Sequence, residues 1–375
     1  MSAMPSVTAT PTETYDVVVV GAGFAGMYML HRLRGQGMTA RVYEQGSGVG
    51  GTWYWNRYPG ARCDTAAMIY LPLLEETGYI PTEKYVRGPE IRAHCERIAE
   101  RYRLYDGALF HTEVTSLEWQ EDTKRWRVMT NRGDDFTAKY LGMGTGPLHI
   151  AKLPGIPGIK KFRGKSFHTS RWDYEYTGGN ADGAPMDELA DKRVAVIGTG
   201  ATGVQCIPHV AKTAGQLFVF QRTPSSVDVR GNHPIDPGWF ESVATPGWQK
   251  RWMDNFVENT GGGLPTEDLI NDGWTDISRR IREKALKGTP LWLARFVAHL
   301  RKTLKRSPAQ RDTGRVRAAF EEADVEKMEQ IRARVDAVVE DEHTAQKLKA
   351  WYSQLCKRPC FSDEYLPAVN SRNTT

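Results

Sequence analysis

The first strong pattern along the chain is a short apolar run that leads into closely spaced glycines and then into a helix. Residues 15–20 are rich in valine, which is typical of a parallel strand buried on both faces. The glycines are Gly21, Gly23 and Gly26, and a helical pattern follows to residue 33. This order predicts a pyrophosphate site, because glycines allow close backbone approach and a helix N-terminus offers free N–H groups.

The next strand of this unit ends in an acidic residue, Glu44. Its spacing from Gly26 fits a carboxylate that accepts hydrogen bonds from the ribose hydroxyls of a dinucleotide. A predicted hairpin over residues 110–130 and a predicted strand over residues 139–146 follow. Together these patterns predict a dinucleotide-binding domain over residues 15–150.

The same succession returns in the second half of the chain, where residues 192–197 are predicted to form a strand. The strand after the next helix ends in Arg222 and Thr223, at the position that Glu44 has in the first unit. A cation there favours NADP over NAD, since a 2′-phosphate needs a counter-charge. An ordinary surface arginine after a strand is the alternative. The residues predicted to bind this second nucleotide are Thr199, Gly200, Ala201, Thr202, Gly203, Gln205, Arg222 and Thr223.

Helical patterns replace strand patterns between residues 236 and 349. This segment is predicted to be a helical insertion into the second domain, which covers residues 151–235 and 350–375. Within the insertion, residues 290–306 form an amphipathic and strongly basic pattern. Two interpretations stay open for this helix: it lies on a membrane surface, or it packs against the body and exposes its basic face.

Composition narrows the class of protein. The 375 residues include 25% charged and 10% aromatic side chains, which is ordinary for a globular protein. The net charge of +5 gives no indication of nucleic-acid binding and suits a protein that binds phosphate-bearing cofactors. The five scattered cysteines lack C-x-x-C spacing, so we expect no disulfide framework and no dithiol redox site, and we favour a reducing cytosol. No metal site is expected.

Targeting signals are not evident in the sequence. Residues 1–14 form a polar tail, predicted to be disordered, that lacks the basic and apolar regions of a signal peptide. No apolar run approaches the length needed to cross a bilayer. A soluble, cytoplasmic protein without a transmembrane segment is therefore expected, and its oligomeric state is left open.

Two stretches outside the predicted strands and helices carry candidate chemistry. Residues 50–64 are rich in Gly, Pro and aromatic residues, which predicts an ordered loop whose rings could wall a planar ring system. Its last residue, Asp64, is either part of a site or a loop carboxylate that caps backbone N–H groups. Residues 162–173 combine a glycine turn with His168 and Trp172, which suggests a segment that couples the two units; an ordinary linker with a buried Trp is the alternative.

These two stretches resemble the signatures of the type I Baeyer–Villiger monooxygenases. The fingerprint F-x-G-x-x-x-H-x-x-x-W-P/D is matched by Phe162, Gly164, His168, Trp172 and Asp173. A second signature, Gly-Gly-x-Trp followed by Tyr-Pro-Gly-x-x-x-Asp, is matched between Gly50 and Asp64. The resemblance covers nearly the whole chain. It implies an α/β fold with two Rossmann-like domains, one for FAD and one for NADPH, and a helical insertion in the second.

The resemblance also implies roles for individual residues. Those implied to contact FAD are Gly21, Gly23, Gly26, Glu44, Gly51, Thr52, Trp53, Tyr54, Arg62, Asp64 and Tyr70. A Lys-Arg element of the family is matched by Lys357 and Arg358, of which the lysine would bind an NADPH phosphate and the arginine would be catalytic. Arg358 would stabilise negative charge during the reaction, and Asp64 would position it.

The implied activity is a Baeyer–Villiger oxidation. NADPH would reduce FAD, O₂ would add at flavin C4a, and the peroxyflavin would insert one oxygen atom next to a ketone carbonyl to give an ester or a lactone. The run from Arg222 to Asn232 resembles members that act on bulky or polycyclic ketones. Two alternatives stay open: an N- or S-hydroxylating flavin monooxygenase, and a nucleotide-binding protein without catalytic activity.

The end of the chain departs from the family pattern. Relatives continue with a segment that completes the FAD domain and the substrate pocket, whereas this sequence stops at Thr375. We therefore expect a chain truncated at its C-terminus, with an incomplete FAD domain, that binds FAD weakly and turns over little.

Overall fold

The computed structural model describes residues 14–296 and 313–375. They divide into two compact units. The first unit contains the residues up to Tyr58 together with Gly88–Asp173, and the second contains Pro59–Arg87 together with Tyr174–Thr375. Among the described residues, no helix combines the length and the apolar character needed to span a lipid bilayer.

The elements are as follows. The strands are β1 (Thr14–Val20), β2 (Ala40–Tyr43), β3 (Ala108–Leu109), β4 (Val114–Gln120), β5 (Arg125–Thr130), β6 (Asp135–Met143), β7 (Arg193–Ile197), β8 (Gln216–Phe220), β9 (Val227–Asp228) and β10 (Cys360–Phe361). The helices are α1 (Phe24–Gly35), α2 (Thr52–Trp55), α3 (Ala67–Tyr70), α4 (Leu74–Thr77), α5 (Gly88–Arg101), α6 (Tyr174–Thr177), α7 (Ala201–Ala211), α8 (Pro237–Val243), α9 (Trp248–Thr260), α10 (Gly273–Ala285), α11 (described over residues 291–296), α12 (Thr313–Val338), α13 (Glu342–Leu348) and α14 (Tyr365–Val369). Of the basic helix predicted over residues 290–306, only the part up to residue 296 lies among the described residues.

The first unit is built on a six-stranded sheet in the order β3-β2-β1-β6-β5-β4. Strands β3, β2, β1 and β6 are parallel neighbours, and β6, β5 and β4 continue as an antiparallel meander. The apolar run of β1 lies at the centre, where Val18 and Val19 are fully buried. The ring of Tyr43 stacks on that of Phe136 across the sheet. The continuous valine run therefore forms the central parallel strand that its pattern predicts, and β4 and β5 form the predicted hairpin.

The second unit contains a smaller parallel sheet of β7 and β8. Helix α7 connects these strands and buries Val204, Ile207 and Val210. The backbone of β8 also pairs with the last residues of the chain, because Leu217 N–H donates to the carbonyl oxygen of Asn373 at 2.6 Å and Thr375 N–H donates to that of Leu217 at 2.9 Å. Strand, glycine turn, helix and strand thus follow one another in both units, which is the Rossmann-like repeat predicted from the sequence.

Most of the described part of residues 236–349 is helical, as predicted. The long helix α12 buries apolar side chains at helical spacing, among them Ala323, Met328 and Ile331. Met328 and Ile331 form a small core with Ala350. On either side of this helical segment, β9 and β10 pair in parallel, with Val227 opposite Cys360.

Residues 59–87 belong to the second unit although the predicted boundary places them in the first. Their backbone pairs with the segment after β9: Lys84 N–H donates to the carbonyl oxygen of His233 at 2.9 Å, and Ile235 N–H donates to that of Thr82 at 3.0 Å. These hydrogen bonds join residues that are distant in sequence, so no local sequence pattern predicts them. The loop that carries Asp64 is thereby fixed within the second unit.

Candidate functional site

In the first unit, the glycine turn after β1 is tightly packed. Gly21 has φ +99°, and a Cβ at Gly26 would lie 1.8 Å from the carbonyl oxygen of Gly21. The second glycine loop lies against the first, since a Cβ at Gly51 would lie 2.8 Å from Cα of Gly23. Only glycine allows this approach of backbone to backbone at the N-terminus of α1. The turn therefore has the shape that binding of a pyrophosphate requires.

Glu44 is buried at the end of β2 and orders this turn. One of its carboxylate oxygens accepts a hydrogen bond from Ala22 N–H at 2.8 Å, and the other accepts one from Gly46 N–H at 2.7 Å. Each carboxylate oxygen has a second lone pair, so both can still accept hydrogen bonds from ribose hydroxyls. The donor set and acid of this unit thus fit the adenosine diphosphate part of FAD.

The predicted flavin loop begins at α2 in the same unit. Trp53 is buried, and Tyr54 Oη accepts a hydrogen bond from Ser47 N–H at 2.9 Å. Thr52 lies half-buried in this helix. The loop is held within the unit by a hydrogen bond from Gly50 N–H to the carbonyl oxygen of Ala22 at 3.0 Å. Three of the predicted flavin residues therefore lie directly beside the glycine turn.

The fingerprint segment is ordered locally in the first unit. His168 Nδ1 accepts a hydrogen bond from Ser170 N–H at 3.1 Å and thereby caps the short 3₁₀ helix that follows. The guanidinium of Arg171 lies 4.0 Å from the centre of the Trp55 ring. Trp172 is half-buried and packs edge-on against Phe167. The fingerprint is thus attached to the flavin loop through Arg171, a residue the sequence prediction did not single out.

Its remaining residues have local partners too. Asp173 pairs with Lys165 at 2.6 Å. Phe162 is 65% exposed, and its ring covers Gly164, where a Cβ would lie 2.6 Å from the ring. The predicted role of the segment in coupling the two units stays a prediction.

The glycine turn of the second unit repeats the first. Gly198 has φ +105°, and a Cβ at Gly203 would lie 2.3 Å from the carbonyl oxygen of Gly198. Gly200 differs from Gly203 in its surroundings, since a Cβ at Gly200 would meet nothing within 4 Å. It is the N-cap of α7, so open space adjoins the N-terminus of the helix. This is where a pyrophosphate fits, with Ala201 and Thr202 in the first turn of the helix.

The residues predicted to bind a 2′-phosphate lie at the end of β8 and before β10. Arg222 is exposed and Thr223 is half-buried. Lys357 is exposed, and its Nζ lies 4.7 Å from the centre of the Tyr352 ring. The Tyr352 hydroxyl donates to the carbonyl oxygen of Pro224 at 2.9 Å. Tyr352 therefore connects the lysine to the segment that directly follows Arg222 and Thr223, which favours a shared anion site.

Asp64 is the centre of a charged cluster in the second unit. Its side chain is 3% exposed, and Oδ1 accepts a hydrogen bond from Arg230 Nη2 at 2.6 Å. Gln205 Nε2 lies 3.3 Å from the same oxygen. Arg358 Nη2 lies 3.8 Å from the other oxygen, Oδ2, and the side chain of Arg358 is 58% exposed. These side-chain partners distinguish Asp64 from a carboxylate that caps loop N–H groups.

The loop before Asp64 is shaped by helix α7. Gly60 has φ +78°, and a Cβ there would lie 2.5 Å from the ring of His209. Gln205, on the same face of α7, pairs with the backbone of Arg62. Cys63 and Asp64 are therefore fixed in place by the helix that begins at the second nucleotide turn. The contact predicted between Gln205 and the nucleotide stays a prediction, and its amide group is used to hold this loop.

Arg62 and Tyr70, both predicted to contact FAD, lie in the second unit. The guanidinium of Arg62 pairs with Glu83 at 2.7 Å and also donates to the carbonyl oxygen of Tyr85. Its charge is thus already balanced inside the unit. Tyr70 is half-buried at the end of α3. For both residues the predicted contact with the flavin stays a prediction.

Burial and charge act in opposite directions on Asp64. Burial raises the pKa of Asp64 above its ordinary value, and the charges of Arg230 and Arg358 act to lower it. Burial also raises the pKa of the neighbouring thiols, Cys63 to about 12 and Cys360 to about 11. Both thiols therefore stay neutral at physiological pH, and with Asp64 ionised the two arginines give the cluster a net positive charge. Such a cluster is suited to stabilising an anion.

Arg230 is the member of this cluster that the sequence prediction missed. It follows β9 directly, and its backbone N–H donates to Asp363 Oδ1 at 3.0 Å. The only available signal was its place in the run from Arg222 to Asn232. Nothing in a local pattern distinguishes a buried arginine from a surface one. Among the described residues, no group of three or more His, Cys, Asp and Glu side chains is arranged to hold a metal ion.

Comparison with known proteins matches the chain to one family model and to several related enzymes. Residues 15–230 match the model of the pyridine nucleotide-disulphide oxidoreductase family. The chain is 51% identical over 362 residues to the Baeyer–Villiger monooxygenase ATR8 of Stachybotrys chlorohalonatus, covering 96% of this chain and 55% of the relative. It is 48% identical over 375 residues to neopentalenolactone D synthase of Streptomyces avermitilis, covering 100% of this chain and 60% of the relative. The chain thus spans little more than half the length of these curated relatives.

Solved structures agree with the relatives. The polycyclic ketone monooxygenase of the fungus Thermothelomyces thermophila matches with a TM-score of 0.84 and 36% identity, over 100% of this chain and 59% of that one. A cyclohexanone monooxygenase bound to ε-caprolactone matches with a TM-score of 0.74 and 30% identity, over 97% of this chain and 67% of that one.

Proposed function

Because the chain matches the pyridine nucleotide-disulphide oxidoreductase family and belongs to the Baeyer–Villiger monooxygenases, we propose that the protein uses FAD and NADPH to insert one oxygen atom of O₂ next to a ketone carbonyl. The observation that carries this proposal is the exposed Arg358 guanidinium held 3.8 Å from the buried Asp64 carboxylate. A cation in this place stabilises negative charge that develops on a reacting oxygen. The product is an ester or a lactone.

The residues of this chain bind the cofactors, orient the reacting groups and stabilise the negative charge that develops. FAD supplies the activation of O₂ when it is bound. The turn formed by Gly21, Gly23 and Gly26 holds its pyrophosphate, and Glu44 accepts hydrogen bonds from its ribose. Arg358 stabilises the anionic group that attacks the carbonyl and the negative charge on the carbonyl oxygen, while Asp64 sets the position of Arg358.

The second unit holds NADPH. The open space at Gly200 receives the pyrophosphate, and Arg222, Thr223 and Lys357 bind the 2′-phosphate. NADPH would supply the hydride that reduces the flavin. Free cysteines throughout the described residues support a reducing compartment such as the cytosol as the place of action.

The proposed substrate class is a bulky or polycyclic ketone. The run from Arg222 to Asn232 supports it, and so does the TM-score of 0.84 with a monooxygenase named for polycyclic ketones. The proposed partners are such a ketone and O₂, and a role for nucleic acid has no support in the modest net charge of +5.

The test measures cofactor and product together. The 375-residue chain and a version extended with the C-terminal segment of a curated relative are purified with FAD, and flavin absorbance per protein is recorded. Ketone-dependent oxidation of NADPH, with one atom of labelled O₂ recovered in an ester, is the expected result for a flavin-loaded protein. Labelled oxygen recovered in the hydroxylamine or sulfoxide formed from an added amine or thioether, with no ester formed from a ketone, would favour the hydroxylating class. Bound NADPH that neither version oxidises would favour a nucleotide-binding protein without catalytic activity.

A further inference from the structure

The two arginines of the Asp64 cluster differ sharply in burial. The Arg230 side chain is 10% exposed and bonds to Asp64 Oδ1 at 2.6 Å, whereas the Arg358 side chain is 58% exposed and lies 3.8 Å from Oδ2. The first distance is that of a charge-assisted hydrogen bond, and the second is that of a loose ion pair. The buried arginine is therefore the one that balances the charge of the carboxylate.

The position of Arg230 is set by its backbone. Its N–H and that of Gly231 donate to the two carboxylate oxygens of Asp363, both at 3.0 Å. Gly231 has φ +59°, which turns the chain after β9. Arg358 lies just before β10, and Asp363 lies just after it. Because β9 and β10 pair in parallel, the two arginines lie on adjacent segments. Both guanidinium groups thus approach Asp64 because of one small sheet.

Arg230 also leaves one of its donors unused. Its Nε is buried and has no hydrogen-bond partner among the described residues. A buried donor without a partner is unfavourable. Arg230 therefore pairs with Asp64 although this leaves one of its own donors unpaired. This is expected if its role is to position the neighbouring carboxylate.

Consider Asp64 without Arg230. A buried carboxylate needs a partner or a proton, and within the described part of the chain the other cation beside it is Arg358. Either Arg358 would be drawn inward to pair with Asp64, or Asp64 would become neutral and lose its hold on Arg358. In both cases the exposed guanidinium would no longer be held in place and available at the same time.

We propose that Arg230 is a positioning residue that keeps Asp64 ionised and oriented, so that the Arg358 guanidinium stays available to the anion formed in oxygen transfer. The proposal rests on the proposed function for its second half only. The first half concerns the charge of Asp64 and is measurable in the protein without cofactors.

The cofactor-free measurement is the melting temperature of Arg230→Ala against that of the parent at about pH 5 and about pH 8. Removing Arg230 takes away a cause that lowers the pKa of Asp64, so the variant takes up a proton at higher pH than the parent. A raised acid pKa gives stability that is present at low pH and is lost as the pH rises. The loss in Arg230→Ala should therefore be larger at the higher pH. The exposed pair of Arg317 and Glu321 offers a control, Arg317→Ala, whose loss should be small at both values.

The other titratable groups around Asp64 should not contribute to the difference in melting temperature between the two pH values. Cys63 and Cys360 have raised pKa values of about 12 and about 11, and burial raises the pKa of Tyr85 as well. All three are neutral over this pH range.

The functional measurement is the ratio of ester formed to NADPH consumed in the FAD-loaded protein. In Arg230→Ala this ratio should fall on the order of 10- to 100-fold, as positioning defects do, while NADPH oxidation continues. Arg230→Lys should restore part of the ratio because it returns the charge. An unchanged ratio in Arg230→Ala, or a loss of stability equal at both pH values, overturns the proposal. If the parent forms no ester from any ketone, the proposed function fails, and the melting temperatures alone decide whether Arg230 keeps Asp64 ionised.

Discussion

Gln205 and Arg62 hold each other through a reciprocal pair of hydrogen bonds. The N–H of Arg62 donates to the side-chain oxygen of Gln205 at 3.2 Å, and Gln205 Nε2 donates to the carbonyl oxygen of Arg62 at 3.0 Å. A single side chain of α7 thus satisfies both backbone groups of the residue two positions before Asp64. The helix that begins at the second nucleotide turn also fixes the loop of the charged cluster.

The first prediction concerns Gln205→Ala. The variant leaves the part-buried backbone N–H and carbonyl oxygen of Arg62 without the partners that Gln205 provides, so the free energy of unfolding should fall by about 1–3 kcal/mol. The matched control is Gln249→Ala, since Gln249 is equally buried and holds Leu74 N–H and the carbonyl oxygen of Leu71 in the same way. Both variants should lose stability, but only Gln205→Ala should lower the yield of ester per NADPH. Equal yields in the two variants would contradict the link between this loop and Arg358.

The second prediction separates backbone strain from crowding. Gly60 and Gly78 both have positive φ, +78° and +67°, but only a Cβ at Gly60 would meet neighbours, namely His209 at 2.5 Å and the carbonyl oxygen of Gln205 at 2.6 Å. Gly78→Ala should therefore cost about 1–2 kcal/mol from strain alone. Gly60→Ala should cost about 2–4 kcal/mol, because crowding adds to the strain. Chemical denaturation measures both, and equal losses would mean that α7 does not constrain the loop.

The third prediction uses pH. The hydrogen bonds from Lys139 and Thr39 hold the pKa of the Asp16 carboxyl well below its usual range. A lowered acid pKa gives stability that is present above the unfolded pKa and is lost as the pH falls. Asp16→Asn should therefore be less stable than the parent at about pH 7, and this deficit should be smaller at about pH 2. Asp122→Asn, in the exposed turn after β4, serves as control and should match the parent at both values. A deficit of Asp16→Asn that is the same at both values would contradict the ionic origin.

Local sequence patterns were enough to predict the strands, glycine turns and helices that short segments form by themselves. The valine run of β1 and the glycines after it predict a buried parallel strand and a helix N-terminus, because both features are encoded within a dozen residues. The pairing of Asp64 with Arg358 is of another kind. Asp64 and Arg358 are far apart along the chain, so only the family resemblance predicted that they interact. The structure shows in addition that Arg230 lies closer to Asp64 than Arg358 does, which no sequence pattern predicted.

The assignment of residues 59–87 shows why the rest could not be predicted. Their membership in the second unit depends on backbone hydrogen bonds such as that from Lys84 to His233. Such pairing is decided by the packing of distant segments, which leaves no periodic signal at either one. In the same way, the sequence identifies Gln205 as a residue near a nucleotide turn but does not reveal that its amide holds Arg62.

The fourth prediction distinguishes two glycines of the second nucleotide turn. A Cβ at Gly203 would lie 2.3 Å from the carbonyl oxygen of Gly198, whereas a Cβ at Gly200 would meet nothing within 4 Å. Gly203→Ala should therefore lower the free energy of unfolding by about 1–3 kcal/mol. Gly200→Ala should leave it within about 0.5 kcal/mol and weaken NADP⁺ binding at least about tenfold, since the methyl group enters the pyrophosphate space. Calorimetric titration that finds parental affinity in Gly200→Ala would place the pyrophosphate elsewhere.

The fifth prediction concerns the choice between NADP and NAD. Arg222 is exposed at the end of β8, so Arg222→Gln should fold as the parent does. Loss of charge-assisted hydrogen bonds to a 2′-phosphate should weaken NADP⁺ binding by about 1.5–3 kcal/mol, or roughly 10- to 100-fold, and leave NAD⁺ binding nearly unchanged. Arg193→Gln removes an equally exposed cation from β7 in the same unit and should change neither affinity. Since only the 2′-phosphate distinguishes the two nucleotides, a parallel loss of NAD⁺ affinity in Arg222→Gln would show that Arg222 acts on the shared part of the nucleotide and not on that phosphate.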